Sequence, residues 1–194
     1  MLRVLDFVFS LLGLIILFPI LFLIALWVKL DSKGPIFYVQ KRVGLKGLDF
    51  NLYKFRSMRL DSDKLGLLTI GGRDPRVTNS GYYIRKFKID ELPQLLNVLN
   101  GEMSLVGPRP EVRKYVNLYN ESQKRVLWVR PGITDEASIA FKNENEILEK
   151  SNNPEHTYIH KIMPAKIELN KRFIEDPSVF NYFKIIFKTI FGQL

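Results

Sequence analysis

The sequence of 194 residues contains no cysteine and only two histidines, and these absences exclude several kinds of protein. Without cysteine there is no disulfide framework and no thiol chemistry, although this absence says nothing about the cellular compartment. His156 and His160 lie four residues apart, but the glutamate of the zinc-protease helix motif is missing, so we expect no metal there. The chain also has no internal repeat or low-complexity tract, and its 12% aromatic content argues against disorder.

The charge balance is strongly positive, with 29 lysines and arginines against 20 aspartates and glutamates and a net charge of +9. Such a charge favours an anionic partner, which could be nucleic acid, an anionic lipid surface or a phosphorylated substrate. The aromatic residues do not interleave with basic ones as they do in single-strand-binding grooves, so we expect no nucleic-acid partner.

Charged residues are absent from the 22 positions between Asp6 and Lys29, FVFSLLGLIILFPILFLIALWV. As a helix this run would measure about 33 Å, close to the hydrocarbon thickness of a bilayer and long for a core helix or a signal peptide. We therefore predict that residues 1–30 insert into a membrane. Pro19 removes a backbone donor near the middle, so the helix should kink or break there. Either a kinked helix spans the bilayer, or a broken helix enters and returns to the same face; basic residues on both flanks are compatible with two cytoplasmic ends.

The remaining residues, 31–194, predict a helix-rich α+β domain with one small β element. Residues 37–43 and 50–55 are β-prone and flank a GLKG turn, which indicates a hairpin. Residues 61–80 have the composition of a loop, and helices are predicted at 82–88, at 91–100 and from Glu111 towards a stop at Pro131–Gly132. An amphipathic helix at about 177–191 could lie in the lipid headgroup layer or pack on the domain core. Its apolar face comprises Val179, Phe180, Phe183, Ile186, Phe187 and Ile190.

Two adjacent carboxylates, Asp90 and Glu91, stand at the start of the helix predicted at 91–100. The simplest interpretation is structural, because aspartate is a favoured N-cap, glutamate favours the first turn and Pro93 is tolerated there. The surroundings favour chemistry, since cations precede and follow the pair: Arg85, Lys86, Lys88, Arg109, Arg113 and Lys114. A carboxylate among these groups would stay ionised and could act as a nucleophile, or could hold a divalent cation that bridges phosphates. Together with the membrane segment, the pattern favours phosphoryl transfer at a membrane surface.

The composite FNLYKFRSM, DPRVTNSGYYIRKFKIDELPQLLNVLNGEMSLVGPRPE and RPGIT closely resembles the bacterial sugar transferase family, also called monotopic phosphoglycosyl transferases. The resemblance covers residues 29–134, and the apolar run before them matches the family's membrane segment. It implies transfer of a sugar-1-phosphate from a nucleoside-diphosphate sugar, usually a UDP-sugar, to polyprenyl (undecaprenyl) phosphate, with release of UMP. This step starts the assembly of surface glycans. The implied location is the bacterial cytoplasmic (inner) membrane, with a catalytic domain over 31–194 facing the cytoplasm.

The resemblance also implies roles for individual residues. The family's catalytic aspartate falls on Asp90, which would form a covalent phosphosugar intermediate, and its glutamate falls on Glu91, which is associated with Mg²⁺. Arg85 and Arg109 would stabilise phosphate charge, and Pro19 would be the break in a re-entrant membrane helix. Other residues of the shared motifs are expected to contact the phosphates or the nucleotide: Lys54, Arg56, Arg76, Pro108, Pro110 and Arg130.

Two departures from the family pattern limit what is carried over. Phe18 precedes Pro19 where the family commonly has serine, whose hydroxyl could satisfy the backbone at the break. After RPGIT the sequence continues DEASIAF instead of the usual glycine and WAQV motif, so Asp135 and Glu136 fall near where the sugar would be recognised. The sugar is therefore not predicted. The competing hypothesis is a membrane-anchored basic protein that binds nucleic acid or anionic lipid without catalysis, and a catalytically inactive scaffold of the family is disfavoured by the intact carboxylate pair.

Overall fold

The computed structural model describes residues 1–62, Leu68 and residues 74–192, and it begins with one long apolar helix, α1, over Leu2–Asp31. Pro19 lies inside α1, and the helix continues through it without dividing into two, so the helix is not broken there and a kink at Pro19 stays a prediction. Among the described residues, α1 is the one helix that is long and apolar enough to cross a membrane. Large side chains near its middle are exposed, including Ile16 at 71% and Phe18 at 66%.

A β-hairpin follows α1, as the sequence predicts. Strands β1 (Phe37–Val43) and β2 (Asp49–Phe55) pair antiparallel, with Phe37 opposite Phe55 and Val43 opposite Asp49. The turn between them contains Lys46 and Gly47 at φ angles of 56° and 75°, a region of backbone space that glycine enters without cost. Half of the loop predicted at 61–80, residues 63–67 and 69–73, lies outside the described residues. Residues 74–78 form no helix, as predicted, and only 79 and 80 already belong to the next helix.

Short helices and a second small sheet form the middle of the domain. Helix α2 covers Asn79–Lys86, α3 covers Gln94–Leu99, and α4 covers only Arg113–Val116. The long helix predicted after Glu111 is therefore wrong, because the chain turns after α4 and re-forms as a 3₁₀ segment at Gln123–Trp128. Strands β3 (Ser104–Val106) and β4 (Gly132–Thr134) pair in parallel and bring the two proline-rich motifs together.

The parallel pairing of the second sheet requires glycine at two positions, Gly107 directly after β3 and Gly132 at the start of β4. A Cβ atom on Gly132 would lie 2.1 Å from the backbone nitrogen of Gly107, so any side chain there would force the two segments apart. This close approach places the GPRP loop beside the RPGIT segment.

Helices α5 to α8 pack over this framework, in a region for which we made no specific prediction. They cover Glu136–Ala140, Glu144–Glu149, Pro154–Thr157 and Met163–Glu175, with a π-helical turn at Tyr158–Ile162 before the last of them. Their apolar side chains form the main core with the end of β1 and with α4; its largest members are Tyr115, Tyr119, Tyr158 and Met163.

Helix α9 (Val179–Phe191) has nearly the bounds predicted for the amphipathic helix. It buries Tyr182 and Ile185 against β3 and the beginning of α1, while Phe180 and Phe187 remain 75% and 63% exposed. One face therefore packs on the domain, as one of the two alternatives predicts, while the other face is apolar and exposed, and its placement in a headgroup layer stays a prediction.

The two ends of α1 are both fixed to the same domain. Near the beginning, the Arg3 guanidinium donates hydrogen bonds to the carbonyls of Val98 and Leu99 at the end of α3, at 2.6 and 3.1 Å. One oxygen of the buried Asp6 carboxylate accepts hydrogen bonds from the Ser104 hydroxyl, the Leu105 amide and the Tyr182 hydroxyl at 2.8–2.9 Å.

The far end of α1 is attached to another part of the same domain, formed by β2 and α2. Ile24 and Val28 pack with Phe55 and Ile84, which belong to β2 and α2. The Asp31 carboxylate accepts hydrogen bonds from both the amide and the hydroxyl of Ser80 at 2.9 and 2.8 Å. The segment between these attachments is the exposed apolar middle of the helix.

Candidate active site

One large cleft, with a volume of about 720 Å³, contains most of the residues that the sequence singles out. Its walls come from the hairpin, the turn between α2 and α3, the GPRP loop, and helices α5, α6 and α8. Lys54 on β2, Arg85 on α2, the Asp90–Glu91 pair and Arg109 all line it. The fold thus brings together residues that are up to 55 positions apart in the chain.

Asp90 lies in a 3₁₀ turn, Ile89–Glu91, and not at the start of a helix. Lys88 precedes this turn in the left-handed region with φ of 54°, and α3 begins only at Gln94 with no side-chain cap at Pro93. The structural interpretation of Asp90 as an N-cap is therefore wrong. A tight turn at this point directs two consecutive carboxylates into the cleft.

Glu91 is held by two cations. Its Oε1 lies 2.9 Å from the Lys54 ammonium, and its Oε2 accepts a hydrogen bond from Arg109 Nη1 at 2.9 Å. Arg109 Nη2 also donates to Oε1, so the guanidinium binds the carboxylate through two nitrogens. Burial alone would raise the pKa of Glu91, but Arg109 and Lys54 outweigh it and hold that pKa well below its ordinary value. Glu91 is therefore ionised at any pH of interest.

Asp90 has the opposite environment. Its residue surface is 8% exposed, and no group in the described parts of the chain donates a hydrogen bond to its carboxylate. Burial, and then the charge of Glu91, raise the pKa of Asp90 to about 6, although Lys54, Arg85 and Arg109 pull it the other way. The carboxylate is thus ionised at neutral pH, desolvated and open to the cleft, which are the properties of an activated nucleophile.

The other predicted binding residues divide into two groups. Pro108 and Pro110 flank Arg109 on the cleft wall. Arg56 also reaches the cleft, but its guanidinium donates to the carbonyls of Val28, Ser32 and Lys33 and so terminates α1.

Arg76 and Arg130 are likewise engaged elsewhere. Arg76 pairs with Asp74 at 2.6 Å and donates to the carbonyls of Ser62 and Leu68, although it still lines the cleft. Arg130 donates to the carbonyl of Gly101 and is not among the described residues that line the cleft, so the structure gives its predicted substrate contact no support.

A buried acid that the sequence did not assign, Asp135, fixes the position of Arg109. Its Oδ2 accepts a hydrogen bond from the Arg109 amide at 2.7 Å, and its Oδ1 caps α5 by accepting from the Ser138 amide. The N-cap was visible in the sequence, since DEAS opens with aspartate before a helical stretch. The contact with Arg109 was not, because it depends on the pairing of β3 with β4.

A second network fixes the GPRP loop from its other side. Glu111 accepts hydrogen bonds from Arg42 Nη1 at 3.3 Å and from the Tyr158 hydroxyl, and Arg42 Nη1 also donates to the Pro110 carbonyl at 3.1 Å. Arg42 and Tyr158 lie 69 and 47 positions away from Glu111, and no local pattern relates the three residues.

Asp90 and Glu91 are the adjacent carboxylates in the cleft that could bind the expected Mg²⁺. Both oxygens of Glu91 already accept hydrogen bonds from cations, and the described residues contain no group of three or more acidic, histidine or cysteine side chains placed to hold a metal. Glu91 Oε2 accepts only one of these hydrogen bonds and keeps one lone pair for a metal, and the oxygens of the neighbouring Asp90 accept none from the described residues. The residues present fit Mg²⁺ when substrate phosphates complete its coordination, which is a common arrangement for this ion.

Comparison with known proteins identifies the family of the chain. A family model described as bacterial sugar transferase matches residues 1–194. EpsL of Bacillus subtilis (strain 168), described as an uncharacterized sugar transferase, is 51% identical over 124 residues, which is 64% of this chain and 60% of that protein.

Two relatives with fuller names align with nearly the whole chain. The UDP-glucose:undecaprenyl-phosphate glucose-1-phosphate transferase of Escherichia coli (strain K12) is 37% identical over 96% of the chain and 38% of its own length. The UDP-N-acetylgalactosamine-undecaprenyl-phosphate N-acetylgalactosaminephosphotransferase of Aeromonas hydrophila is 36% identical over 97% of the chain and 42% of its own length. The chain thus spans about two fifths of these two proteins. Their names specify different sugars at nearly equal identity, so similarity alone does not indicate the sugar.

Proposed function

Since the chain belongs to the bacterial sugar transferase family, we propose that it transfers a sugar-1-phosphate from a UDP-sugar to polyprenyl (undecaprenyl) phosphate through a covalent intermediate on Asp90. One observation carries this proposal: a desolvated carboxylate with a pKa of about 6 faces a cleft, and its neighbour Glu91 is neutralised by two cations. The activities for which two of the relatives are named, with a UDP-sugar and undecaprenyl phosphate as substrates, are of the same class.

The reaction proceeds in two displacements at one phosphorus. In the first, an oxygen of the Asp90 carboxylate attacks the sugar-bearing phosphorus, the bond to the bridging oxygen breaks, and UMP leaves with that electron pair. In the second, a phosphate oxygen of the lipid acceptor attacks the same phosphorus and the acyl-phosphate bond breaks, which restores the carboxylate. Splitting the transfer in this way lets the nucleotide leave before the lipid enters.

Arg85, Lys54 and Arg109 supply positive charge to the phosphate oxygens during both displacements. Glu91 orients Arg109 and Lys54 towards this position through the ion pairs already described. Glu91 and substrate phosphate oxygens would hold the expected Mg²⁺. When bound, this ion would offset negative charge on the phosphate oxygens, as the three basic side chains do.

The membrane helix enters and leaves the bilayer on one side, in this proposal, as a re-entrant segment. Arg3 and Asp6 near its beginning and Val28 and Asp31 near its end contact one and the same domain, which lies on a single side of a membrane. Only the exposed apolar middle around Pro19 is then left to enter lipid. We place this domain on the cytoplasmic face of the bacterial inner membrane, where nucleotide sugars are made.

The uncovered face of α9 lies in the headgroup layer in this arrangement. Phe9 of α1 contacts Phe183 of α9 with ring centroids 5.9 Å apart, so the two helices present one continuous apolar surface. Lys184 and Lys188 stand one turn apart on α9 and can reach lipid phosphates. The acceptor's phosphate reaches the cleft while its tail stays in the bilayer.

The experiment uses the full chain in lipid nanodiscs with undecaprenyl phosphate and a panel of UDP-sugars. We expect UMP release with at least one sugar and an adduct of sugar phosphate mass on the peptide containing Asp90 when the lipid acceptor is omitted. The Asp90→Asn variant should bind to nanodiscs normally and release no UMP, whereas Asp49→Asn, an exposed control, should behave like the parent. Turnover by Asp90→Asn at more than a few per cent of the parent rate would refute Asp90 as nucleophile.

A further inference from the structure

The cleft continues past Arg109 to a wall built by α5 and α8, which the proposed chemistry does not use. Asn170 on α8 and Ser138 on α5 line this wall. Asn170 is only 6% exposed, and its Oδ1 has no hydrogen-bond partner within the described parts of the chain. The Ser138 Oγ is buried and equally without a partner there.

The orientation of the Asn170 amide follows from its surroundings. Its Nδ2 lies 3.4 Å from Oδ2 of Asp135, a carboxylate oxygen that can only accept. The amide nitrogen therefore points to Asp135, and the amide oxygen is the atom left without a donor. Buried hydrogen-bond acceptors in folded proteins nearly always have a donor, so a buried acceptor without a donor on a cleft wall indicates a ligand.

The wall is close to the reacting centre. Asp135 Oδ2, which faces Asn170, also accepts the Arg109 amide at 2.7 Å, and the guanidinium of Arg109 binds Glu91. Asp135 thus links Asn170 to the backbone of Arg109, the residue whose guanidinium binds the neighbour of the nucleophile. The partnerless atoms on this wall, Asn170 Oδ1 and Ser138 Oγ, are uncharged.

The donor molecule has two ends that require different surroundings. The nucleotide carries a second phosphate and so belongs with the cations beside Asp90 and Glu91, among them Lys54 and Arg85. The sugar carries neutral hydroxyl or acetamido groups, which are recognised by uncharged donors and acceptors. A buried amide oxygen and a buried hydroxyl without partners match the sugar.

We propose that Asn170 and Ser138 determine the sugar specificity of the enzyme by hydrogen bonding to a ring substituent of the transferred sugar, a hydroxyl or an acetamido group. This inference rests on the proposed function. Asn170 accepts from the substituent, and Ser138 donates to it or accepts from it. A sugar that lacks the group would leave the Asn170 oxygen unpaired, and such a mismatch gives strong discrimination.

The test measures kcat/KM for UMP release by the full chain in nanodiscs, with the best UDP-sugar of the panel and with analogues of it that each lack one substituent. We expect Asn170→Ala and Ser138→Ala each to lower kcat/KM for the complete sugar by about tenfold, the usual effect of removing one neutral hydrogen bond. The same substitutions should have little effect on the one analogue that lacks the recognised group, because the contact is already gone.

Two measurements separate recognition from damage to the fold. Removing the Ser138 hydroxyl breaks no hydrogen bond among the described residues, so the melting temperature should stay unchanged, as should inhibition by UMP. Ser10→Ala is the matched control, since the Ser10 hydroxyl is also buried and without a partner in the described structure but lies on α1, away from the cleft. It should leave all rates unchanged.

The outcomes are distinct. Equal losses on every analogue, or no loss from either substitution, would overturn the inference while leaving the transferase intact. A parent protein that releases UMP from no UDP-sugar would overturn the proposed function, and the inference would fall with it.

Discussion

Replacing Asp90 by asparagine should make the protein more stable while it abolishes activity. The carboxylate is ionised at neutral pH although it is buried and receives no hydrogen bond from the described residues, so the folded state bears a cost that the unfolded chain does not. Asparagine has nearly the same shape and no charge. The substitution therefore removes this cost without leaving a cavity.

The size and sign follow from linkage between protonation and folding. Burial, with help from Glu91, raises the pKa of Asp90 from 3.8 to about 6, and two pH units correspond to about 3 kcal/mol at 1.36 kcal/mol per unit. A raised pKa means that the folded state binds the proton more tightly than the unfolded chain does. The free energy of unfolding of the parent is therefore highest below about pH 4, where Asp90 is protonated in both states. It falls by about 3 kcal/mol as the pH rises to about 6 and stays at that lower value above it.

The assay is thermal unfolding of the parent and Asp90→Asn in the same detergent between pH 4 and pH 8. For a chain of this size about 3 kcal/mol corresponds to roughly 6–12 °C, which is an upper limit for the gain at pH 8. The gain should shrink steadily below pH 6 and vanish near pH 4. A gain in melting temperature that is the same at pH 5 and pH 8, or a variant that melts below the parent at pH 8, would show that the buried, ionised carboxylate does not destabilise the folded state in the way we describe.

Two further predictions concern the neighbouring carboxylate and the membrane helix. Glu91→Gln removes a negative charge that raises the pKa of Asp90, and it leaves the cations Lys54 and Arg109 unpaired beside Asp90. The acid limb of the residual pH–rate profile for UMP release should therefore move to lower pH. An acid limb that stays in place or moves to higher pH contradicts this. Single cysteines at Leu2 and Lys33, in a chain without native cysteine, should both react with an impermeant thiol reagent in inverted membrane vesicles and neither in intact cells. Labelling of only one of them from outside the cell would mean that the helix spans the bilayer, and labelling of both would place the domain on the outer face.

The elements that the sequence predicted well are those with a local cause. The hairpin depends on β-prone stretches around a glycine-containing turn, and α9 depends on an apolar face of helical period, so both were predicted within a few residues. The importance of Asp90 and Glu91 was likewise visible, because cations cluster around them in the chain.

What the sequence could not provide was the partner of each charged group. Arg56 looks like a phosphate ligand in its motif, yet in the fold it terminates α1 by binding carbonyls that come from 23 to 28 positions earlier. Asp135 looked like a departure that affects sugar recognition, and the fold shows it holding the Arg109 backbone. Such contacts depend on tertiary pairing, which leaves no trace in local composition.

The difference between the two adjacent carboxylates explains how the site can keep a nucleophile among cations. If Lys54 and Arg109 bound Asp90, its pKa would fall and its oxygens would be occupied, and it would be a poor nucleophile. Glu91 takes both of these cations instead, so Asp90 stays open while the positive charge remains within reach of the cleft. Lys54, Arg85 and Arg109 all lower the pKa of Asp90 and so bring positive charge to the cleft beside it, which makes the site attractive to an anionic donor. Environments that push the pKa values of two neighbouring acids apart assign their roles, and here they assign attack to Asp90 and orientation of the cations to Glu91.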